Sequence, residues 1–209
     1  MNYDELDKLG AECLAPDFPN EYPKCLETMT DRATAEVLTA RIKAREKELA
    51  EEYKDKLPED QWKRSVNGIF PFIAAYQVLR KEGWTTFDAI TMTRRLLYQA
   101  VSWKQPMYFR MHEAGSSFEK LAEDNEKFMS QDTSLVSTIE RKTDKEHFFT
   151  VHKCLYFTLC TEQDVQELAT IFCDADYVIM GLVRNVKLIR TTTIGRGDAC
   201  CDFHLFKMD

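Results

Sequence analysis

The sequence has no long apolar run: no stretch approaches the roughly 20 residues that a helix needs to span a bilayer. No membrane-crossing segment is expected. Positive charge is also in short supply. Lys and Arg number 28 against 35 Asp and Glu, for a formal net charge of −7. That balance argues against a nucleic-acid-binding surface and against anionic membranes. The opening residues MNYDELDKLGAECLAP are acidic and carry no apolar segment, so no signal peptide is expected there. The 7 cysteines are odd in number and form no C-x-x-C pair. With no export signal, reduced thiols in a cytoplasm are the expectation. No Walker loop, G-x-G-x-x-G, G-x-S-x-G elbow or H-E-x-x-H is present, which removes the commonest nucleotide, serine-hydrolase and zinc-protease readings. No internal repeat and no low-complexity segment is present, and no cofactor is expected.

What is there is ordinary for a globular protein: 44% apolar and 30% charged residues. A chain of 209 residues can bury a full core, so residues 1–209 are expected to form a single domain. Residues 1–30 read as an irregular or partly helical lead-in, because Pro16, Pro19 and Pro23 break any long helix. Residues 31–130 read as a helical part. A long charged helix over 31–56 carries the narrow stripe Leu38, Ile42, Leu49, Tyr53 and Leu57. That stripe would suit a homodimer contact, and packing within the domain explains it equally well. A second helix over 68–81 has Pro71 in its first turn. A third is capped by Thr85 with Asp88, and a fourth opens on a Ser116-x-x-Glu119 capping box. Residues 103–112 are aromatic and broken by Pro106.

Near Thr133 the texture changes. Residues 135–141 and 146–153 read as a β-hairpin, 154–160 as a short helix and 164–180 as a further helix. The chain closes on VKLIRTTTIGRGDACCDFHLFK, a strand, a turn bracketed by Gly195 and Gly197, and a strand. Short turns pair the strands. The expected fold is α+β: N-terminal helices packed on a C-terminal antiparallel sheet, ordered strand–strand–helix–helix–strand–strand over 133–209.

The reactive groups concentrate in that last part. Cys154 ends a strand two residues after His152, which predicts one face for both. Cys173 lies in FCDAD, and Cys200 and Cys201 open the last strand. A useful thiolate needs a cationic neighbour, and His152 and Arg196 are the candidates. A metal set of Cys154, Cys173, Cys201 and a histidine lacks the usual ligand spacing, so no metal is expected. Asp164 and Glu167 read as a capping box at a helix start. Asp174 and Asp176 are two apart on a helix and face different ways. Asp202 alternates with Cys201, so the two point to opposite sheet faces. If buried, it needs a partner such as Arg190 or Arg196.

Read together, VHKCLY, QEL, FCDAD and RTTTIGRGDACCDF resemble the C-terminal pattern of the L-2-amino-thiazoline-4-carboxylic acid hydrolase family. The matching positions are Cys154; Glu167 and Leu168; Phe172, Cys173 and Asp176; Arg190 and Thr191; and Gly197, Asp198, Cys201, Asp202 and Phe203. They occupy the C-terminal third. Two places depart from the pattern. QDVQ stands where a Gly-x-Pro is expected before Glu-Leu, and His204 follows Cys-Asp-Phe where arginine is commoner. The resemblance implies hydrolysis of a cyclic amidine, a small-molecule substrate, by water at the carbon between nitrogen and sulfur. The product is a carbamoyl derivative of cysteine. Such chemistry needs a carboxylate for the amidinium (Asp202, Asp176 or Glu167). It needs a nucleophile, either a thiolate (Cys154, Cys173 or Cys201) or a water activated by a base (His152 or His204). It also needs a cation for the substrate carboxylate, Arg190 or Arg196. The Gly-Asp-x-x-Cys-x-Phe ending also resembles 4-vinyl reductase domains, which implies an alternative: a non-enzymatic small-molecule-binding module of the same fold.

Overall fold

Most helices come early in the chain, and the strands come late with two helices between them. The structure, a computed structural model, describes residues 18–102, 117–131 and 133–209. Among the described residues six helices, α1 (Phe18–Leu26), α2 (Arg32–Tyr53), α3 (Glu59–Gly68), α4 (Phe70–Lys81), α5 (Thr86–Ser102) and α6 (Ser117–Gln131), precede the hairpin β1 (Leu135–Lys142) and β2 (Glu146–Cys154). Then follow α7 (Leu155–Glu162), a 3-10 turn (Gln166–Leu168), α8 (Ala169–Gly181), β3 (Val186–Ile189), a second 3-10 turn (Ile194–Arg196) and β4 (Cys201–Lys207). The sheet is antiparallel with order β1-β2-β4-β3. The fold is α+β, as expected. Among the described residues no helix is long and apolar enough to cross a membrane. The expected Ser116 capping interaction and the aromatic stretch 103–112 lie outside the described residues.

Local chemistry sets the helix boundaries. The Asp31 carboxylate accepts the Thr34 N–H at 3.0 Å and starts α2. Leu38, Ile42, Leu49 and Tyr53 are buried within the chain, so this stripe needs no second copy to cover it. The sequence reading passed over α3. Its signal was Pro58 followed by Glu59 and Asp60, a proline start with acids in the first turn. The centre of the helical layer is α4. Phe70, Phe72, Ile73, Ala74, Ala75, Tyr76, Val78 and Leu79 are all buried, because α2 and α5 flank it. The Asp88 N–H donates to Thr85 Oγ1 at 3.1 Å, the expected cap of α5.

The helix expected over 164–180 is divided. Val165 N–H donates to the Cys160 carbonyl at 2.8 Å and closes α7. That closure leaves Asp164 at φ 54, the left-handed slot after a helix C-terminus, which Asp tolerates. Asp164 is therefore no N-cap, and the Asp164–Glu167 capping box does not form. Glu167 instead accepts the Tyr76 hydroxyl, tying the start of α8 to α4.

The helical layer holds one apolar cluster. A second joins Phe118 and Leu121 of α6 to Phe149 and Val151 of β2 and Cys201 and Leu205 of β4. His147 of β2 is fully buried, and neither ring nitrogen has a hydrogen-bond partner. Its ring lies 5.3 Å from that of Phe149. Burial pushes its pKa down, Glu126 pulls it up, and Lys142 adds to the depression. Below the ordinary histidine value of about 6.5 the unfolded chain binds this proton and the folded chain resists it. The stability that follows is present above that value and is lost as pH falls. Thermal melts between about pH 7 and about pH 5 should show this loss, and His147→Leu should flatten it. An unchanged acid slope in the variant would assign the loss to other groups.

Candidate active site

Directly after β3 the chain turns Arg190 under α8, where its side chain is 3% exposed. A buried guanidinium must be paired and hydrogen-bonded. Arg190 donates to Asp176 Oδ2 at 2.5 Å and to the Cys173 carbonyl at 2.5 Å. It also lies on the rings of Tyr177 and Phe203, 5.0 and 4.9 Å from their centroids. The Tyr177 hydroxyl donates to the Arg190 carbonyl at 3.1 Å. Burial opposes the charge, and Asp176 more than restores it. The fork expected to clamp a substrate is thus engaged inside the chain. Its effect is to orient Asp176, whose side chain keeps 33% exposure.

Burial dominates the thiols of Cys154, Cys173 and Cys201, and Asp176 adds a smaller push in the same direction on each. Burial pushes the Cys154 thiol up to about 11, against the pull of the Phe157 and Tyr156 amides. Burial likewise takes Cys173 to about 12, against the pull of Arg190, and raises Cys201. All are protonated thiols at neutral pH. Cys201 is 6% exposed, and its sulfur accepts the Ile194 N–H at 3.2 Å. Cys173 is half-buried, one helical turn before Asp176. A Cβ placed on Gly195 would stand 2.8 Å from Cys173 Sγ. Glycine there lets the backbone close over the sulfur.

Cys154 reaches this group through an irregularity that alternation did not foresee. Val136 pairs with Lys153 and Ser137 with Val151, which leaves His152 as the extra residue of a β-bulge. The bulge shifts the parity of the strand. His152 stays exposed, with Nε2 2.8 Å from Thr138 Oγ1, while Cys154 is half-buried and its thiol feels the charges of Cys201 and Asp176. The two do not share a face.

Asp202 stands on the face opposite Cys201, as expected, but its partners are threonines and not an arginine. Thr191 and Thr192 donate their N–H groups to Oδ1 at 2.8 and 2.6 Å. Their hydroxyls reach Oδ2 and Oδ1 at 2.6 and 2.9 Å. Asp198 accepts the Thr193 N–H at 2.7 Å, and Gly197 takes φ +97. Both aspartates therefore shape the loop between β3 and β4. Burial pushes the Asp202 carboxyl up, and the Thr191 and Thr192 donors outweigh it and hold it at about 2. A depressed carboxylate stabilises above its ordinary value and loses that contribution as pH falls through about 2. Asp202→Ala should cost about 2 kcal/mol at neutral pH by denaturant unfolding. A loss shrinking in acid is expected, and a pH-independent loss would contradict the assignment.

The model of the family described as L-2-amino-thiazoline-4-carboxylic acid hydrolase matches residues 62–205. The chain belongs to that family. The match runs from within α3 to within β4, so it takes in α4 and α5 as well as the C-terminal motifs. Neither the comparison with curated proteins nor that with solved structures returned a match.

Seen as a member of this hydrolase family, the chain brings Cys154, Cys201 and Arg190 near Cys173 and Asp176 of α8. Its other candidates stand apart. Glu167 faces Tyr76. His204 stacks on Phe148 with centroids 3.7 Å apart, and its Nε2 is 4.0 Å from Asp202 Oδ2. Arg196 donates to Asp174 Oδ1 at 2.6 Å, and Arg94 of α5, which the sequence reading did not single out, approaches the same carboxylate. A helical position with no motif around it gave no signal. Among the described residues no group of His, Cys, Asp or Glu is placed to hold a metal ion. A groove of about 410 Å³ between α6 and the β1–β2 turn, lined by Phe118, Ala122 and Lys142, includes none of the thiols.

Proposed function

We propose that the chain is a hydrolase that opens a cyclic amidine such as L-2-amino-thiazoline-4-carboxylate to a carbamoyl-cysteine product, in a reducing cytoplasm that keeps its thiols free. One observation carries this reading: Asp176, oriented by the buried Arg190, beside the thiols of Cys154, Cys173 and Cys201. Asp176 holds the amidinium and keeps its carbon electrophilic. Cys173, one turn away on the same helix and only half-buried, attacks that carbon. The ring carbon–sulfur bond breaks, and the Cys173 proton passes to the departing sulfur. Water then adds to the carbon of the S-linked intermediate. One of its protons returns Cys173 to a thiol, the other leaves with the positive charge of the amidinium to solvent by way of Asp176, and the oxygen becomes the urea carbonyl. Cys201, buried and bonded to the Ile194 N–H, serves the loop.

The test is turnover of L-2-amino-thiazoline-4-carboxylate and related cyclic amidines, read as free-thiol release. Loss in a folded Cys173→Ser variant, with activity kept in Cys201→Ser, is the expected result. Full activity in Cys173→Ser would remove the thiol from the chemistry. A binding module without turnover is favoured by one observation, the protonated state of the thiols. Saturable binding with no product from any amidine would decide for it.

A further inference from the structure

Arg94 of α5 stands near this site with hydrogen-bonding capacity to spare. Its Nη2 is 3.6 Å from Asp174 Oδ2, too far for a hydrogen bond. Its Nε is buried with no partner. Arg196 already donates to the other oxygen, Asp174 Oδ1, at 2.6 Å. Two guanidiniums thus face one carboxylate, and positive charge is left over. Tyr98, one turn further along α5, is held neutral by burial and by Asp174. The position is as informative as the charge. Asp174 directly follows Cys173, and Arg196 directly follows Gly195, which lies against Cys173 Sγ. The seam of α5, α8 and the Ile194–Arg196 turn therefore borders the thiol proposed to attack.

We infer that Arg94, assisted by Arg196, is the anchor for the substrate's carboxylate, so that the enzyme selects small cyclic amidines bearing an anionic group over the same ring without one. The inference rests on the hydrolase reading. Arg190 is unsuited to the task, being buried and engaged with Asp176 and the Cys173 carbonyl. Arg94 offers what a carboxylate takes, the outer N–H groups of a planar fork on a side chain that keeps 37% exposure.

Two pairs of probes, each differing only in the carboxylate, test this. One pair is L-2-amino-thiazoline-4-carboxylate and 2-amino-thiazoline, followed by turnover. The other is N-carbamoyl-cysteine and N-carbamoyl-cysteamine, followed by calorimetric binding. The wild type should prefer the carboxylate member of each pair. Arg94→Gln should weaken binding of N-carbamoyl-cysteine and raise KM for the carboxylate substrate by about tenfold or more. It should leave kcat and the affinity for N-carbamoyl-cysteamine unchanged, and Arg94→Lys should recover part of the loss. Equal wild-type affinity for the two products would overturn the anchor, and so would equal weakening of both by Arg94→Gln. An Arg94-dependent preference for N-carbamoyl-cysteine without any turnover would support the anchor while removing the hydrolase reading. Thermal melts of each variant separate these outcomes from unfolding.

Discussion

Asp176→Asn is expected to lower kcat/KM for L-2-amino-thiazoline-4-carboxylate by about 10²- to 10⁴-fold, the range for losing a group that acts on the reacting centre. The substitution keeps an oxygen for the Arg190 N–H and removes the charge, so the fold should suffer less than the chemistry. A second measurement gives the prediction an opposite sign. Asp176 raises the pKa of Cys154, Cys173 and Cys201. Its neutralisation should make these thiols more acidic, and alkylation of Cys173 should become faster while amidine turnover falls. Slower alkylation together with slower turnover would point to a general loss of structure. Faster turnover would mean that thiol acidity, and not the hold on the amidinium, limits the reaction. In the wild type, Cys173 is pushed up to about 12 by burial, so kcat/KM should climb with pH from neutral into the alkaline range. A flat profile would place the nucleophile on water.

The strands were legible in the sequence because β-branched and aromatic residues gather between polar turns, although β1 is mostly exposed and β2 is buried on both faces at its centre. Cys201, Phe203 and Leu205 alternate with Asp202 and His204, and the polar turns at 143–145 and 195–198 mark the hairpins. The opposite facing of Asp174 and Asp176 was also legible, since helical spacing alone fixes it. What escaped depends on contacts that no local pattern carries. The bulge at His152 reverses the parity on which the position of Cys154 depended. Asp164 reads as a cap by composition, yet the closure of α7 by Val165 puts it in the left-handed region. Asp202 lies close to two arginines in sequence, but the nearer donors are the backbone and hydroxyls of Thr191 and Thr192. The approach of Arg94 to Asp174 joins residues 80 positions apart in sequence, α5 to α8, and only the packing of those helices reveals it.

Arg190→Met is expected to be the most destabilising single change, about 3–5 kcal/mol, the range for breaking a buried ion pair from one side. Deleting the guanidinium removes the donors to Asp176 Oδ2 and to the Cys173 carbonyl and the cation packed on Tyr177 and Phe203. For a chain of this length such a loss lowers Tm by roughly 6–20 °C. Arg190→Lys should rescue little, because an ammonium cannot serve two acceptors with one planar fork and stack on two rings. The double variant Arg190→Met with Asp176→Leu separates folding from function. With neither charge left to desolvate, stability should return to near the wild-type level, whereas turnover should remain lost because the amidinium has no carboxylate to meet. Equal instability of the single and double variants would mean that Arg190 stabilises mainly through its ring contacts and the Cys173 carbonyl. Activity in the double variant would mean that the Asp176–Arg190 pair belongs to the architecture of the site and not to its chemistry.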